Sequence, residues 1–125
     1  MMKRKILISI RPEYVKQILN GIKKYEYRKA IAKQDVSSML IYETSPIMKI
    51  VAEVEIKSVL SYSPDILWDL TCDYSGISKE FFDGYFKNKK IAYAYKLGRV
   101  KVFNEPRLLS DYGLKSAPQS FVYIE

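Results

Sequence analysis

The sequence predicts a small mixed α/β domain, mainly β, built as a β-barrel with helices at its rim. A chain of 125 residues has room for one domain, so residues 1–125 are expected to form a single unit. Hydrophobic residues make up 48 %, which is enough for one core. About six apolar segments alternate in the manner of strands, and the few helical stripes do not follow each strand as they would in a βαβ protein.

The first third of the chain predicts a strand, a helix and two further strands. In residues 6–10 every second side chain is an isoleucine, and this two-residue period predicts a strand. Pro12 suits the first turn of a helix, and Gly21 suits its left-handed end. Residues 25–28 alternate again, and residues 39–42 are a short apolar strand. The helix between Pro12 and Gly21 has one apolar stripe, formed by Tyr14, Val15, Ile18, Leu19 and Ile22.

The rest of the chain predicts three strands and two short helices. Residues 50–59 form the clearest strand, with alternate apolar side chains facing inward. The sequence Ser63-Pro64-Asp65 is a helix start, and a second short helix begins near Ser78. A strand from Ile91 continues past a bend or bulge at Gly98, and residues 121–124 form the last strand. The two helices carry apolar stripes, formed by Ile66, Leu67 and Leu70 and by Phe81, Phe82, Tyr85 and Phe86.

The net charge of +7 is concentrated in the first quarter of the chain. Residues 1–33 hold ten basic and two acidic side chains, whereas residues 34–125 hold eleven basic and twelve acidic ones. Together with eleven tyrosines able to stack on bases, this asymmetry favours RNA or a nucleotide as the partner. Most of the basic residues are expected to form a diffuse field that attracts polyanions without selecting one: Lys3, Arg4, Lys5, Lys16, Lys24, Lys29 and Lys33.

The composition excludes several classes of site. The chain has no histidine, which removes Ser-His-Asp and Cys-His catalysis and every zinc site that needs imidazole. Cys72 is the only cysteine, so it is expected to be a buried or incidental thiol and no disulfide can form within the chain. No metal site and no cofactor are expected. No apolar run is long enough for a membrane helix or a signal peptide, so a cytoplasmic protein is expected, as a monomer or weak dimer.

Residues 21–28 bring charges of both signs beside a turn. Gly21 turns the chain, Lys23 lies in the turn, and Glu26 and Arg28 project from one face of the next strand. Arginine offers a fork of donors, lysine a point charge and glutamate an acceptor, so such a face can hold a planar anion or a base edge. The alternative is a ladder of surface charges on a half-exposed strand, with little energetic weight.

The pattern G-x-K-x-x-E-x-R after a first strand and helix resembles the signature of the ASCH (activating signal cointegrator homology) domain, a relative of the PUA domain. The resemblance extends over most of the chain. It includes the segments Ile8-Ser9-Ile10-Arg11-Pro12-Glu13-Tyr14, Tyr42-Glu43-Thr44-Ser45-Pro46, Leu67-Trp68, Ser75-Gly76-Ile77-Ser78 and Pro118-Gln119-Ser120-Phe121.

The resemblance implies a PUA-like β-barrel with a cleft lined by the signature residues. ASCH domains are mostly inferred to bind RNA, often as cofactors of translation or transcription. Some small bacterial members are amidohydrolases that act on an acetylated cytidine, and others are ribonucleases. Lys23 matches the lysine of the amidohydrolase members, but Glu26 stands where those members carry a threonine nucleophile.

Three hypotheses follow. The first is an RNA- or nucleotide-binding module whose site residues are Arg11, Gly21, Lys23, Glu26, Arg28, Ser45, Gln119 and Ser120. The second is a small hydrolase acting on a modified nucleoside or on RNA, in which Lys23 supplies a cation or proton and Glu26 a general base. The third is a protein-interaction domain that recruits a partner through residues 65–85, with Trp68 either exposed for that purpose or buried in the core.

Overall fold

Two long antiparallel strands form the centre of the computed structural model, which describes residues 4–124. One six-stranded sheet holds all the strands, in the order β2-β5-β4-β3-β1-β6. β1 and β3 run parallel, and every other neighbouring pair is antiparallel. The elements are β1 (Arg4–Ile10), α1 (Pro12–Leu19), β2 (Tyr25–Arg28), β3 (Val36–Glu43), β4 (Lys49–Tyr62), α2 (Pro64–Thr71), α3 (Lys79–Tyr85), β5 (Ala92–Arg107) and β6 (Phe121–Ile124).

The mixed α/β, mainly β fold with an early helix and two later short helices is confirmed. Each predicted strand and helix is present, with β1, β3, β4 and β5 longer than the alternation indicated. Two short 3₁₀ helices, Cys72–Tyr74 and Leu109–Tyr112, were not predicted, because three- and four-residue turns have no periodicity to detect. Lys3, part of the predicted charge field, lies outside the described residues.

Closure of the barrel differs from the expectation. Within residues 4–124 the sheet is open, with β2 and β6 at its two edges and no backbone ladder between them. A side chain makes the link instead, because Arg28 on β2 donates from Nη2 to the carbonyl oxygen of Ser9 on β1 at 2.8 Å. The sheet therefore approaches a barrel at the point where the signature strand faces the end of β1.

The core lies on both faces of the sheet, as the two-residue period of the strands requires. Ile6 and Ile8 on β1 pack with Tyr95 and α1 on one face, while Leu7 packs on the other face with residues near the chain end. A third cluster fills the space beneath α2 and α3. It is formed by Tyr27, Leu67, Phe82, Phe86, Ala92 and Ala94.

Some residues of the predicted helical stripes are exposed rather than buried. Ile22 is 55 % exposed because α1 ends at Leu19, which leaves Ile22 in the following turn. On α2, Ile66 and Leu70 are about half exposed, and only Leu67 of the predicted stripe is buried. A helix of eight residues packed along one line buries few positions, so spacing alone over-predicts its buried face.

The two alternatives for Trp68 are also decided by the structure. Among the nearby strand tyrosines, Tyr95 is fully buried and Tyr93 is half-buried. Trp68 is half-buried and packs on Phe82, with ring centroids 5.0 Å apart. This favours the core alternative for Trp68 over a fully exposed recruitment residue. No helix among the described residues is long and apolar enough to span a membrane.

The predicted bulge at Gly98 is present and shapes a surface groove. Val54 pairs with Val100 and Ile56 with Leu97, so β5 carries one residue more than β4 between these pairs. A Cβ atom at Gly98 would collide with the carboxylate of Glu55. That carboxylate accepts a hydrogen bond from the Arg99 backbone N–H at 3.1 Å, so the bulge draws residues of both strands to one place.

Candidate functional site

The turn after α1 is held by backbone hydrogen bonds from both sides. Gly21 takes a left-handed φ of 77°, and the N–H groups of Ile22 and Lys23 both donate to the carbonyl oxygen of Gln17. The N–H of Lys24 donates to the carbonyl oxygen of Tyr74 at 2.9 Å. Backbone hydrogen bonds therefore hold the chain around Lys23 in place independently of the contacts of its side chain.

Lys23 is a buried cation, only 4 % exposed. Its Nζ donates to the carbonyl oxygen of Ser75 at 2.6 Å and lies 4.9 Å from the ring centre of Tyr27 and 5.5 Å from that of Tyr14. Burial lowers the pKa of Lys23 below its usual 10.5, while Glu26 raises it and Arg28 lowers it further. Burial also raises the pKa of Tyr27 to about 12, so that hydroxyl stays neutral.

Glu26 and Arg28 form an ion pair in which Glu26 is buried and Arg28 partly buried, instead of an exposed ladder of charges. Glu26 is 6 % exposed, and its Oε2 accepts from Nε of Arg28 at 3.0 Å and from Nη2 at 2.9 Å. Nη2 of Arg28 also donates to the carbonyl oxygen of Ser9. The guanidinium is thus oriented from two sides, which makes the pair a preorganised polar surface.

These charges line a cleft of about 380 Å³ between α1, β2 and α3. The structure brings Arg11, Lys23, Glu26, Arg28 and Gln119 together around this cleft. A Lys23 ammonium can bind a phosphate oxygen, and the carboxylate of Glu26 can accept from a base amino group. Among the described residues, no group of three or more acidic or cysteine side chains is arranged to hold a metal ion.

The other predicted site residues lie outside the cleft. Gly21 acts through the turn and lines a neighbouring groove instead. Ser45 is exposed and precedes the cis-proline Pro46, while its neighbour Thr44 lines the cleft. Ser120 is exposed, and its carbonyl oxygen accepts from the N–H of Ser9 at 3.4 Å.

Sequence reasoning missed the aromatic wall of the cleft. Tyr14, Phe81 and Tyr85 line it, although their helical spacing predicted core positions. Phe81 is 47 % exposed and its ring centre lies 6.3 Å from that of Tyr14. Apolar spacing shows which residues share a helix face, and it does not show whether that face meets another element or a cleft.

Gly76 is expected to hold Lys23 in place by leaving room for it. A Cβ atom at Gly76 would meet the amide oxygen of Gln17, and it would lie 2.9 Å from Cβ of Lys23. Gly76→Ala is therefore expected to lower the free energy of unfolding by about 2 kcal/mol, part backbone strain and part overpacking. Gly113→Ala is the matched control, because Gly113 has a similar φ of 74° and no atom within 4 Å of the added Cβ. Equal losses in urea unfolding would contradict the packing role of Gly76.

The buried Lys23 is expected to leave a pH signature in stability. Because its pKa is lowered in the folded state, the unfolded chain binds more protons between that lowered pKa and 10.5. Stability that depends on Lys23 therefore rises as the pH increases through this window. Urea unfolding of wild type and Lys23→Met over an alkaline pH series should show the wild type gaining relative to the variant. Lys87→Met, at an exposed position, controls for the loss of a surface lysine. The prediction would be contradicted if the unfolding free energy of the wild type fell relative to that of Lys23→Met as the pH increased.

Comparison with known proteins gives one family and several relatives. The model of the ASCH domain matches residues 8–102. An ATP synthase subunit alpha and a large ribosomal subunit protein uL22, both of Ureaplasma parvum serovar 3, are 29 % and 28 % identical over 98 % and 96 % of the chain. The chain spans only 16 % and 39 % of those two proteins.

Two further similarities concern Zymomonas mobilis. An ASCH domain-containing ribonuclease of that organism is 25 % identical over 76 % of this chain, which covers 65 % of the relative. The crystal structure of an ASCH protein from Zymomonas mobilis superposes with a TM-score of 0.88 at 23 % identity, covering 98 % of this chain and 88 % of the other. At that identity the superposition supports the fold.

Proposed function

The chain belongs to the ASCH domain family, and from this premise we propose that it binds RNA, with one nucleotide in the cleft around Lys23, Glu26 and Arg28. A role of this binding in the control of translation or transcription is part of the proposal. The name of the Zymomonas mobilis relative, an ASCH domain-containing ribonuclease, supports RNA as the polymer.

The observation that carries the proposal is a buried cation beside a fixed ion pair in an open cleft. Lys23 is 4 % exposed and lines the cleft, and its ammonium group carries hydrogens beyond the one donated to Ser75. A lysine held this way costs desolvation free energy, which a phosphate in the cleft would offset. Glu26 and Arg28 add a fixed acceptor and donor beside it, which suits the edge of a base.

The aromatic wall supports a single-stranded ligand. Phe81 is half exposed in the cleft, and Tyr14 and Tyr85 lie in the same wall. Sequence-tolerant stacking on such rings contributes roughly 1–3 kcal/mol per base in single-strand binding. Unstacked bases are available in single-stranded RNA and in loops, and these are the expected targets.

Fluorescence anisotropy with labelled single-stranded RNA tests the proposal. We expect binding at about 50 mM salt that weakens markedly at about 200 mM, because phosphate contacts release counterions. The same sequence as DNA and as a fully paired RNA duplex are the comparison ligands. Absence of RNA binding at low salt, or affinity that ignores salt, would overturn the proposal.

RNA cleavage is the second candidate, favoured by the ribonuclease relative and by the proximity of Lys23 and Glu26 in one cleft. In this reaction the RNA 2′-oxygen attacks the adjacent phosphorus and the P–O5′ bond breaks. Glu26 would take the 2′-hydroxyl proton, and Lys23 would stabilise the extra negative charge or protonate O5′. The products are a 2′,3′-cyclic phosphate and a 5′-hydroxyl.

Product analysis separates cleavage from binding. Purified wild type is incubated with end-labelled RNA and, in parallel, with N4-acetylcytidine, which tests the amidohydrolase alternative. Cyclic phosphate products that disappear in Lys23→Met and Glu26→Gln would support cleavage in this cleft. Turnover that survives both substitutions would remove these two roles, and RNA left intact by the wild type would leave the binding function alone.

A further inference from the structure

A second groove, of about 590 Å³, lies on the other side of the turn that holds Lys23. We propose that this basic groove, defined by Lys24, Lys57, Lys96, Arg99 and Tyr74, binds the phosphodiester backbone of the RNA strand whose nucleotide occupies the cleft. The inference rests on the proposed RNA-binding function and adds to it a second surface with a different task.

The bulge in β5 builds the floor of the basic groove. Gly98 has no side chain there, and Cε of Lys57 lies 3.1 Å from where its Cβ would be. Glu55 is held by the backbone N–H of Arg99, and Lys96 lies beside β2 through its pairing with Tyr25. Side chains from β4 and β5 therefore converge on one groove although they stand about forty residues apart in the chain.

Tyr74 and Lys24 form the aromatic side of the basic groove. Nζ of Lys24 lies 4.3 Å from the centre of the Tyr74 ring. The backbone N–H of Lys24 donates a hydrogen bond to the carbonyl oxygen of Tyr74, and its carbonyl oxygen accepts one from the N–H of Leu97. Tyr74 is 47 % exposed, so its ring is open to a ligand. A cation beside an exposed ring is the combination found along single-strand binding channels.

The charge of the basic groove is not neutralised from within. Its lining holds five cations, including Lys23, and one carboxylate, Glu55, whose Oε1 accepts from a backbone N–H. Among residues 4–124, no ion pair engages Lys24, Lys57, Lys96 or Arg99. Such an unpaired cluster holds a strong positive potential, which favours a polyanion over a neutral ligand.

Exposure separates the tasks of the two surfaces. Lys24, Lys57, Lys96 and Arg99 are all exposed, whereas Lys23 and Glu26 in the cleft are buried. Exposed lysines bind phosphates as point charges without selecting a base, and buried, oriented groups can select one. Lys23 lines both cavities, so the cleft and the basic groove are neighbours, and in this proposal one RNA strand contacts both.

The test compares two double variants with the same change in charge. Lys57→Ala with Lys96→Ala removes two groove cations, and Lys87→Ala with Lys90→Ala removes two exposed lysines that line neither cavity. With single-stranded RNA of about ten nucleotides, the groove variant should bind roughly fivefold to tenfold more weakly at low salt. The slope of log affinity against log salt should become less steep by about 1.4 units in this variant. The loss of affinity should be uniform across RNA sequences.

Additional variants distinguish failure of the basic groove from failure of the cleft. Lys57→Arg with Lys96→Arg should retain wild-type affinity, since only charge is required. A groove variant that binds like the Lys87/Lys90 control overturns the groove while leaving the cleft proposal intact. Groove loss combined with no effect of Lys23→Met overturns the cleft and supports the groove. A wild type that binds no RNA overturns both.

Discussion

Replacing Arg28 with alanine is expected to lower the free energy of unfolding by about 3 kcal/mol, measured by urea denaturation. The substitution leaves the Glu26 carboxylate, 6 % exposed, without its partner. It also removes the bond to the carbonyl oxygen of Ser9, which is the link between β2 and β1. Loss of one partner from a buried pair costs more than the pair contributes, because an unpaired charge remains in a poorly hydrated place.

A second substitution tests the cause of that loss. Arg28→Ala combined with Glu26→Gln should recover at least half of the lost stability, because a neutral amide needs no guanidinium beside it. The exposed pair of Lys79 and Asp83, 2.8 Å apart, is the matched control. Lys79→Ala is expected to leave the unfolding midpoint nearly unchanged. Equal effects of Arg28→Ala and Lys79→Ala would mean that the Glu26–Arg28 pair is only a surface contact.

Replacing Lys23 with methionine is expected to weaken RNA binding about 10- to 100-fold, the usual range for one charge-assisted hydrogen bond of roughly 1.5–3 kcal/mol. Methionine matches the length of the lysine stem, but it lacks the ammonium group that lies near the Tyr14 and Tyr27 rings and carries no charge. Fluorescence anisotropy at constant salt measures the loss.

Two comparisons identify the origin of the loss. Lys87→Met removes a lysine of the same charge at an exposed position and should change affinity by less than about twofold. Lys23→Arg keeps the charge but does not fit the site bounded by Gly76 and Ser75, so partial recovery is expected. Unchanged RNA affinity in a folded Lys23→Met variant would remove the cleft from the proposed function.

Much of the fold could be predicted from local sequence patterns. Alternation predicted the strand of residues 25–28 with its bounds, and the same holds for residues 121–124. Proline at the first helical position located the starts of α1 and α2. The bulge at Gly98 was also indicated, because a glycine interrupts a strand pattern that continues beyond it. These features depend on neighbours in the chain, so the chain itself carries their signal.

The candidate site was accessible only in part. The motif indicated Lys23, Glu26 and Arg28 as a group, and the structure brings these three to one cleft. Ser45 and Ser120 were expected there as well, and they lie outside it. Proximity in sequence to a site residue does not determine which of two adjacent side chains points inward, as Thr44 and Ser45 demonstrate.

The sequence by itself determined the strand and helix pattern, the concentration of basic charge near one end and the spacing of the motif. Only the tertiary structure decided what those charges meet. Lys23 is buried against Ser75, 52 positions away, and Arg28 bonds to Ser9, 19 positions away. Pairings of that separation depend on how the sheet curves and where the helices pack. The same packing buries most of the Glu26–Arg28 pair, exposes Phe81 to a cleft and gathers lysines of β4, of β5 and of the turn before β2 in the basic groove.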